Sequence, residues 1–321
     1  MVKKLARSAA FALLDIVGTV ILAVFGLPLR IIARRRYWLP HFSRMSDRLG
    51  IHIRDSHYYE PTYREADLPA HTDVERHLPA IDMNEAGQLE LLGRFTFAEE
   101  LLAIPAVKPS ETEYGFSAAM YGPGDAEIAY SIIRHFKPRR IIEIGSGDST
   151  LISKAAIDRN RQDDPAYDCR QICIEPYEQP WLETIGVEVR RERVENIDLS
   201  VFQELQAGDI LLIDSSHVIR PWGDVLREFH EIIPSLAPGV LVHVHDIYTP
   251  RDYPERYLRQ QRRLWNEQYL LEAYLSFNGR VTVLCALNWL KHNHFAQLSA
   301  ACPVLANRPE CEPGAFWFVT A

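Results

Sequence analysis

The chain has 321 residues, 47% of them hydrophobic, which is enough for one large domain with appendages around a full apolar core. Its formal charge of −8 excludes the basic stripe that a nucleic-acid groove needs, so no nucleic-acid partner is expected. The five cysteines (Cys169, Cys173, Cys285, Cys302 and Cys311) form no Cys-x-x-Cys pair, and read as reduced thiols of a cytosolic compartment rather than a disulfide framework or zinc cluster.

Lys3, Lys4 and Arg7 precede an apolar run at residues 9–27, AAFALLDIVGTVILAVFGL, and Arg30, Arg34, Arg35 and Arg36 follow it. Such a run is about long enough to cross a bilayer as a helix. Asp15 fits this least, because a carboxylate at membrane depth is costly. No small-x-small site precedes a clean mature start, and the arginine cluster reads as a stop rather than as the end of a cleaved signal. Three readings stay open for the run: a single-span anchor, an in-plane amphipathic helix, or a soluble helix packed on the domain. Residues 1–36 are therefore expected to form a membrane-associating segment. Positive charge at both ends leaves the orientation undecided by the charge rule.

Residues 37–114 are rich in aromatics, His and Pro, with short helical stretches at 85–92 and 97–102, and read as an N-terminal cap and lead-in. From about residue 121 the rhythm changes. Apolar strands at 140–144, 171–174, 209–213 and 240–245 alternate with helical patterns such as 222–233 and 264–277. That alternation specifies a parallel sheet covered on both faces. The tail runs at 280–287 and 315–320 are strand-like, with only a loop-rich Cys/Pro stretch between them, and are expected to pair antiparallel at one edge. The predicted fold is α/β: a doubly wound, mostly parallel, seven-stranded Rossmann-like sheet, preceded by the N-terminal hydrophobic helix and a helical cap.

The most informative stretch is 139–150, RRIIEIGSGDST. A buried strand runs into Glu143, turns at Gly145 and Gly147, and meets helix-capping residues. Glycines there let the backbone turn sharply and a ligand approach the main chain. An acidic residue before Gly-x-Gly is the pattern of S-adenosylmethionine (SAM) sites; a dinucleotide site would prefer Gly-x-Gly-x-x-Gly, and Thr150 stands where its third glycine belongs. Glu143, Gly145, Ser146 and Gly147 are the expected cofactor loop. Ligands of open sheets sit beyond the carboxyl ends of the strands, so the other strand ends follow. Glu175 ends the second strand and can accept ribose hydroxyls from SAM or NAD alike. The fourth ends in Asp214-Ser215-Ser216-His217 and the fifth in His243-Val244-His245-Asp246. His217 is the expected catalytic group, with Asp214 serving catalysis and cofactor. Asp214 and Asp246 are hard oxygen ligands suited to Mg²⁺, and His245 as a third ligand would favour Mn²⁺ or a softer metal. His243 reads as a satisfied core histidine.

Taken together, RRIIEIGSGDST, ICIEP, GDILLIDSSHV, LAPGVLVHVHDIYTPRDYP, WNEQYLLEAYLSFN and GAFWFV, in one order across residues 115–321, resemble the class I SAM-dependent methyltransferases. The likeness is to their methyltransferase domain 24 group, which is similar to the macrolide-sugar O-methyltransferases of the macrocin type; HYYEP at 57–61 is a further point of likeness. In those enzymes the D-x-S-H aspartate and an acidic pair after strand five hold a metal, and the D-x-S-H histidine is the base. Carried onto this chain, the resemblance implies Asp214 and Asp246 as ligands and His217 as base. Two departures stand out: Ser149 replaces the third glycine of the usual motif, and His245 occupies an acidic ligand's place. The expected activity is SAM-dependent O-methylation of a hydroxyl on a sugar, glycolipid or small metabolite at the cytoplasmic face of a membrane. Tyr248, Tyr253, Tyr257 and the Tyr58-Tyr59 pair are candidates for a stacking wall. The alternatives are an NAD-type oxidoreductase and an inactive, membrane-tethered interaction protein. The intact Glu143, Glu175 and Asp214 set speaks against the last.

Overall fold

The computed structural model describes residues 2–57, 59–117 and 120–321, which fall into two compact units, Met1–Ala70 and His71–Ala321. Tyr58, one of the candidate wall residues, lies outside the described residues.

In the first unit the apolar run becomes a helix, α1 (Val2–Arg35). Residues Ala9–Trp38 are long and apolar enough to cross a membrane, and Phe11, Leu14, Ile21, Leu22 and Phe25 within that stretch are exposed. After a tight turn at Arg36–Trp38 comes α2 (Pro40–Leu49), which starts on a proline and stops at Gly50, whose φ of 63° only glycine adopts readily. Arg30 and Arg34 both pair with Asp55, and Arg36 pairs with Glu60.

In the second unit α3 (Glu85–Gly93) and α4 (Ala98–Ala103) match the two expected lead-in helices, and α5 (Asp125–Phe136) leads into the sheet. Then come β1 (Arg140–Ile144), α6 (Asp148–Asp163), β2 (Arg170–Ile174), β3 (Glu188–Arg190), α7 (Leu199–Gln203) and β4 (Ile210–Ile213). A helical run follows, α8 (Asp224–Arg227) and α9 (Ile233–Ser235) joined by a wider turn, then β5 (Leu241–Val244) and α10 (Glu267–Leu275). The sheet order is β3-β2-β1-β4-β5-β7-β6, where β6 is Val281–Ala286 and β7 is Phe316–Thr320. Pairs among β1 to β5 are parallel, and β7 runs antiparallel to both β5 and β6. The expected seven-stranded doubly wound sheet is therefore present, with the tail strands at one end. Its seventh strand, named by no apolar run, is the short half-buried β3.

Strand alternation splits the core in two. Ile141, Leu212 and Trp317 face one helical layer, while Ile142, Ile144, Leu211 and Ile213 face the other. One expectation is corrected: the stretch between β6 and β7 is not loop-rich. It holds α11 (Leu287–Asn293), α12 (Phe295–Ala301) and α13 (Pro303–Ala306), whose Leu287, Leu290, Leu298 and Leu305 are fully buried. The edge strand β6 is covered by α3, through Asn84 Nδ2 donating to the Val283 carbonyl (2.8 Å) and the Ala286 amide donating to Gln88 Oε1 (2.7 Å). All five thiols are free.

Candidate active site

The chain winds outward through β2 and β3, then returns to place β4 on the other side of β1, so the sheet switches direction between β1 and β4. At their carboxyl ends the two strands nearly touch. The Asp214 amide donates to the Ile144 carbonyl at 2.8 Å, and a Cβ on Gly145, whose φ is 77°, would lie 1.9 Å from the Asp214 carbonyl oxygen. Gly145 is thus required by the strands themselves. Gly147 is different, since the nearest atom to a Cβ there is Gln179 Nε2 at 4.0 Å.

Glu143 is buried beneath this loop. Its carboxylate accepts from Ser149 Oγ (2.5 Å) and Thr150 Oγ1 (2.6 Å), and Thr150 Oγ1 in turn accepts from the Gly147 amide (3.0 Å). Burial pushes the Glu143 carboxyl up to about 7 against the pull of those hydroxyls. Ser149, which departs from the glycine pattern, therefore has a use: it ties the helix start to Glu143. Glu175 accepts from the amides of Tyr177 and Glu178, each at 2.9 Å, and from Ser146 at 3.4 Å.

His217 sits at the end of the β4 loop with φ 59°, in the left-handed region, where Asp246 (φ 55°) also lies. Its Nδ1 is 2.8 Å from Glu267 Oε2, at the start of α10, and its Nε2 is 3.3 Å from Asp214 Oδ1 and 3.7 Å from Asp246 Oδ2. The Trp265 ring packs on it at 4.3 Å. Burial disfavours the imidazolium, yet Asp214 and Glu267 hold the ring's pKa up to about 10. Burial likewise pushes the Glu267 carboxyl up, with His217 pulling against it. At Asp214 burial is outweighed by the facing His245 and His217, which hold its carboxyl well below the usual range.

The two β5 histidines differ. His243 is buried, 3.4 Å from the Tyr121 hydroxyl, and both burial and the neighbouring His245 push its pKa down, leaving it neutral. His245 is pushed up despite burial by Asp214, Asp246 and Asp125. Its Nδ1 is 3.4 Å from Asp214 Oδ1 without hydrogen-bond geometry, and its Nε2 is 3.7 Å from Asp125 Oδ2.

These elements enclose a cavity of about 700 Å³, a size common for small-molecule sites. Gly145, Ser146, Gly147, Glu175, Asp214, His217, His245 and Asp246 line it; Glu143 does not. The ligand atoms of Asp214, His217 and Asp246 lie within 4.8 Å of one another, and His245 Nδ1 also faces both carboxylates, 3.4 Å from Asp214 Oδ1 and 3.9 Å from Asp246 Oδ2. Two hard oxygens and one nitrogen aimed into a polar cavity fit a divalent cation. Tyr248, Tyr253 and Tyr257 are buried, packed against one another and Trp265, and none lines the cavity. The sequence reading assigned no role to Glu267, Asp125 or Trp265. Glu267 and Trp265 stand in the WNEQYLL segment, where an acid at a helix start reads as ordinary capping.

A family model described as "Methyltransferase domain" matches residues 142–247, from inside β1 to just past Asp246. The matched segment is a methyltransferase domain. It contains the Gly145 loop, Glu175, Asp214, His217 and Asp246, so the match and the cavity coincide. No curated protein matches the chain significantly. Among solved structures, the O-methyltransferase TomG from Streptomyces achromogenes, involved in tomaymycin synthesis and solved with SAM, is 16% identical at a TM-score of 0.38, covering 72% of this chain and 90% of that one. An O-methyltransferase from Bacillus cereus with SAH is 14% identical at a TM-score of 0.36, covering 72% and 91%. The MycE methyltransferase of mycinamycin biosynthesis, solved with Mg, SAH and mycinamycin VI, is 17% identical at 0.29, covering 52% and 46%. Beyond the matched domain, α10 supplies Glu267, and the turn before it Trp265.

Proposed function

We propose that the chain is a SAM-dependent O-methyltransferase, anchored by α1 at the cytoplasmic face of a membrane, that methylates a hydroxyl on a sugar, glycolipid or small metabolite. Residues 37–114 serve as cap and lead-in to the catalytic domain at 115–321. One observation carries the reading: within the methyltransferase match, a glycine loop, a ribose-type carboxylate and a His/Asp cluster open into one cavity. SAM would lie over Gly145, Ser146 and Gly147 with its ribose on Glu175, and its sulfonium end toward Asp214. Glu143 contributes from below by fixing the loop through Ser149 and Thr150. Asp214, His245 and Asp246 would hold a cation such as Mg²⁺ or Mn²⁺, which leaves His217 Nε2 to the proton of the acceptor.

SAM supplies an electrophilic methyl group, and its transfer is an in-line displacement that depends mainly on positioning. An alcohol is a poor nucleophile until its proton is removed. His217 Nε2 opens to the cavity while Nδ1 is held by Glu267, the arrangement of an oriented base. Asp214 and Glu267 favour the charged ring, so its pairing with Asp214 has to loosen and the Nε2 proton leave before it accepts one from the acceptor. A bound divalent cation would lower the pKa of the acceptor hydroxyl.

Isothermal titration of the full chain in detergent, against SAM, S-adenosylhomocysteine and NAD, tests the reading. SAM and S-adenosylhomocysteine should bind and NAD should not; preference for NAD would end the methyltransferase proposal. Turnover with labelled SAM and cell extracts should fall to background with a chelator and return with Mg²⁺ or Mn²⁺. Chelator-insensitive turnover would remove the metal from the proposal.

A further inference from the structure

The reaction proposed above leaves α2 without a task. Its apolar residues Phe42, Met45 and Leu49 recur at spacings of three and four, so they form one stripe, and Ser43, Arg44, Asp47 and Arg48 lie across the helix from it. No residue of α2 is buried; Met45 is 52% and Leu49 63% exposed. Just before it stand Tyr37 and Trp38, 79% and 80% exposed. An amphipathic helix of ten residues gains its stability from what its apolar face meets, not from propensity.

The chain itself places that face. α1 ends at Arg35, just before Tyr37 and Trp38, and Arg34, Arg35 and Arg36 crowd the same end. The ion pairs of Arg30 and Arg34 with Asp55, and of Arg36 with Glu60, then bring the chain that follows α2 back to this end of α1. α2 is thus looped out and returned at one level, the depth at which α1 would leave a bilayer. Aromatic rings with polar tips gather at that depth, arginines reach from it to headgroup phosphates, and short helices with a basic face lie in its plane.

We infer that α2 lies in the membrane surface as an in-plane helix on anionic phospholipid. Phe42, Met45 and Leu49 face the acyl boundary, Tyr37 and Trp38 sit among the headgroups, and Arg44 and Arg48 meet lipid phosphates. The inference rests on the reading of α1 as an anchor, and the test keeps the two apart.

Met45→Cys and Asp47→Cys, each made in the full chain with Cys311→Ser to remove the most accessible native thiol, are labelled with an environment-sensitive fluorophore. The proteins are reconstituted into vesicles of phosphatidylcholine with phosphatidylglycerol. The Met45→Cys label should shift to the blue and lose most of its emission to a lipid-borne quencher. The Asp47→Cys label should stay quenchable by aqueous iodide. Alkaline carbonate extraction of the same vesicles reports on α1. Resistance to carbonate with both labels equally open to iodide would overturn the in-plane helix and leave the anchor standing. A Met45→Cys label shielded from iodide yet indifferent to the lipid quencher would show a protein contact and overturn it as well. Release of the chain by carbonate would overturn the anchor, and the inference with it.

Discussion

His217→Ala should lower turnover by about 10²–10⁴-fold while leaving SAM affinity nearly unchanged, because a general base acts on the acceptor and not on cofactor binding. The measurement is initial rates with saturating SAM beside isothermal titration of SAM. An equal loss in both would show that the ring holds the site's shape instead. Glu267→Gln sharpens the test. Glutamine keeps the volume and one hydrogen-bonding atom near Nδ1 but gives up the charge that fixes the imidazole's tautomer and orientation. Partners of this kind are worth about 10–100-fold in activity. The bell-shaped rate profile should move as well, since Nε2 would lose one of the two carboxylates that raise its pKa. A Glu267→Gln enzyme with native rates and an unmoved profile would remove the dyad from the mechanism.

The fold was legible where burial and chemistry coincide in a short stretch of chain. Buried strands have to be apolar on both faces, and they have to end in polar residues where a ligand binds, so Glu143, Glu175, Asp214 and Asp246 announce their own strand ends. What stayed hidden is what depends on folding back. Glu267 meets His217 across 50 positions, and a carboxylate near a helix start carries no mark of being buried. β3 has three half-buried residues and no apolar run. Between β6 and β7, His294 and Pro303 break the apolar spacing into three short helices that read as loop. Asp125 reaches the site from α5, where it accepts from the Gly314 and Ala315 amides and faces His245, contacts that a sequence pattern cannot express. That His217 and His245 both face Asp214 and Asp246 also needed geometry, because in the sequence each is marked only by standing at a strand end three residues or fewer from an aspartate.

The two glycines of the loop should separate under substitution. Gly145→Ala should destabilise the domain by about 3 kcal/mol or more, from the strain of a side chain in the left-handed region and the loss of a buried backbone hydrogen bond. The reason is local: the added Cβ would lie 1.9 Å from the Asp214 carbonyl oxygen, and that atom is backbone, so no rotamer can relieve the clash. The ends of β1 and β4 must part, stretching the 2.8 Å bond between the Asp214 amide and the Ile144 carbonyl and displacing Asp214 from His217. Gly147 tells the opposite story. Its φ of −175° is ordinary extended backbone, and no protein atom stands closer than 4.0 Å to a new methyl, so Gly147→Ala should cost about 1 kcal/mol or less as a weaker cap. Its methyl would instead occupy space at the cavity wall, where the cofactor's approach to the main chain is proposed. Urea unfolding of both variants, with SAM titration of each, checks the pair. The expected pattern is an unstable Gly145→Ala and a stable Gly147→Ala that binds SAM at least about tenfold more weakly, the loss of about 1.4 kcal/mol. A stable Gly147→Ala with native SAM affinity would mean that the ligand does not approach this turn, and the placement of SAM over the loop would fall with it.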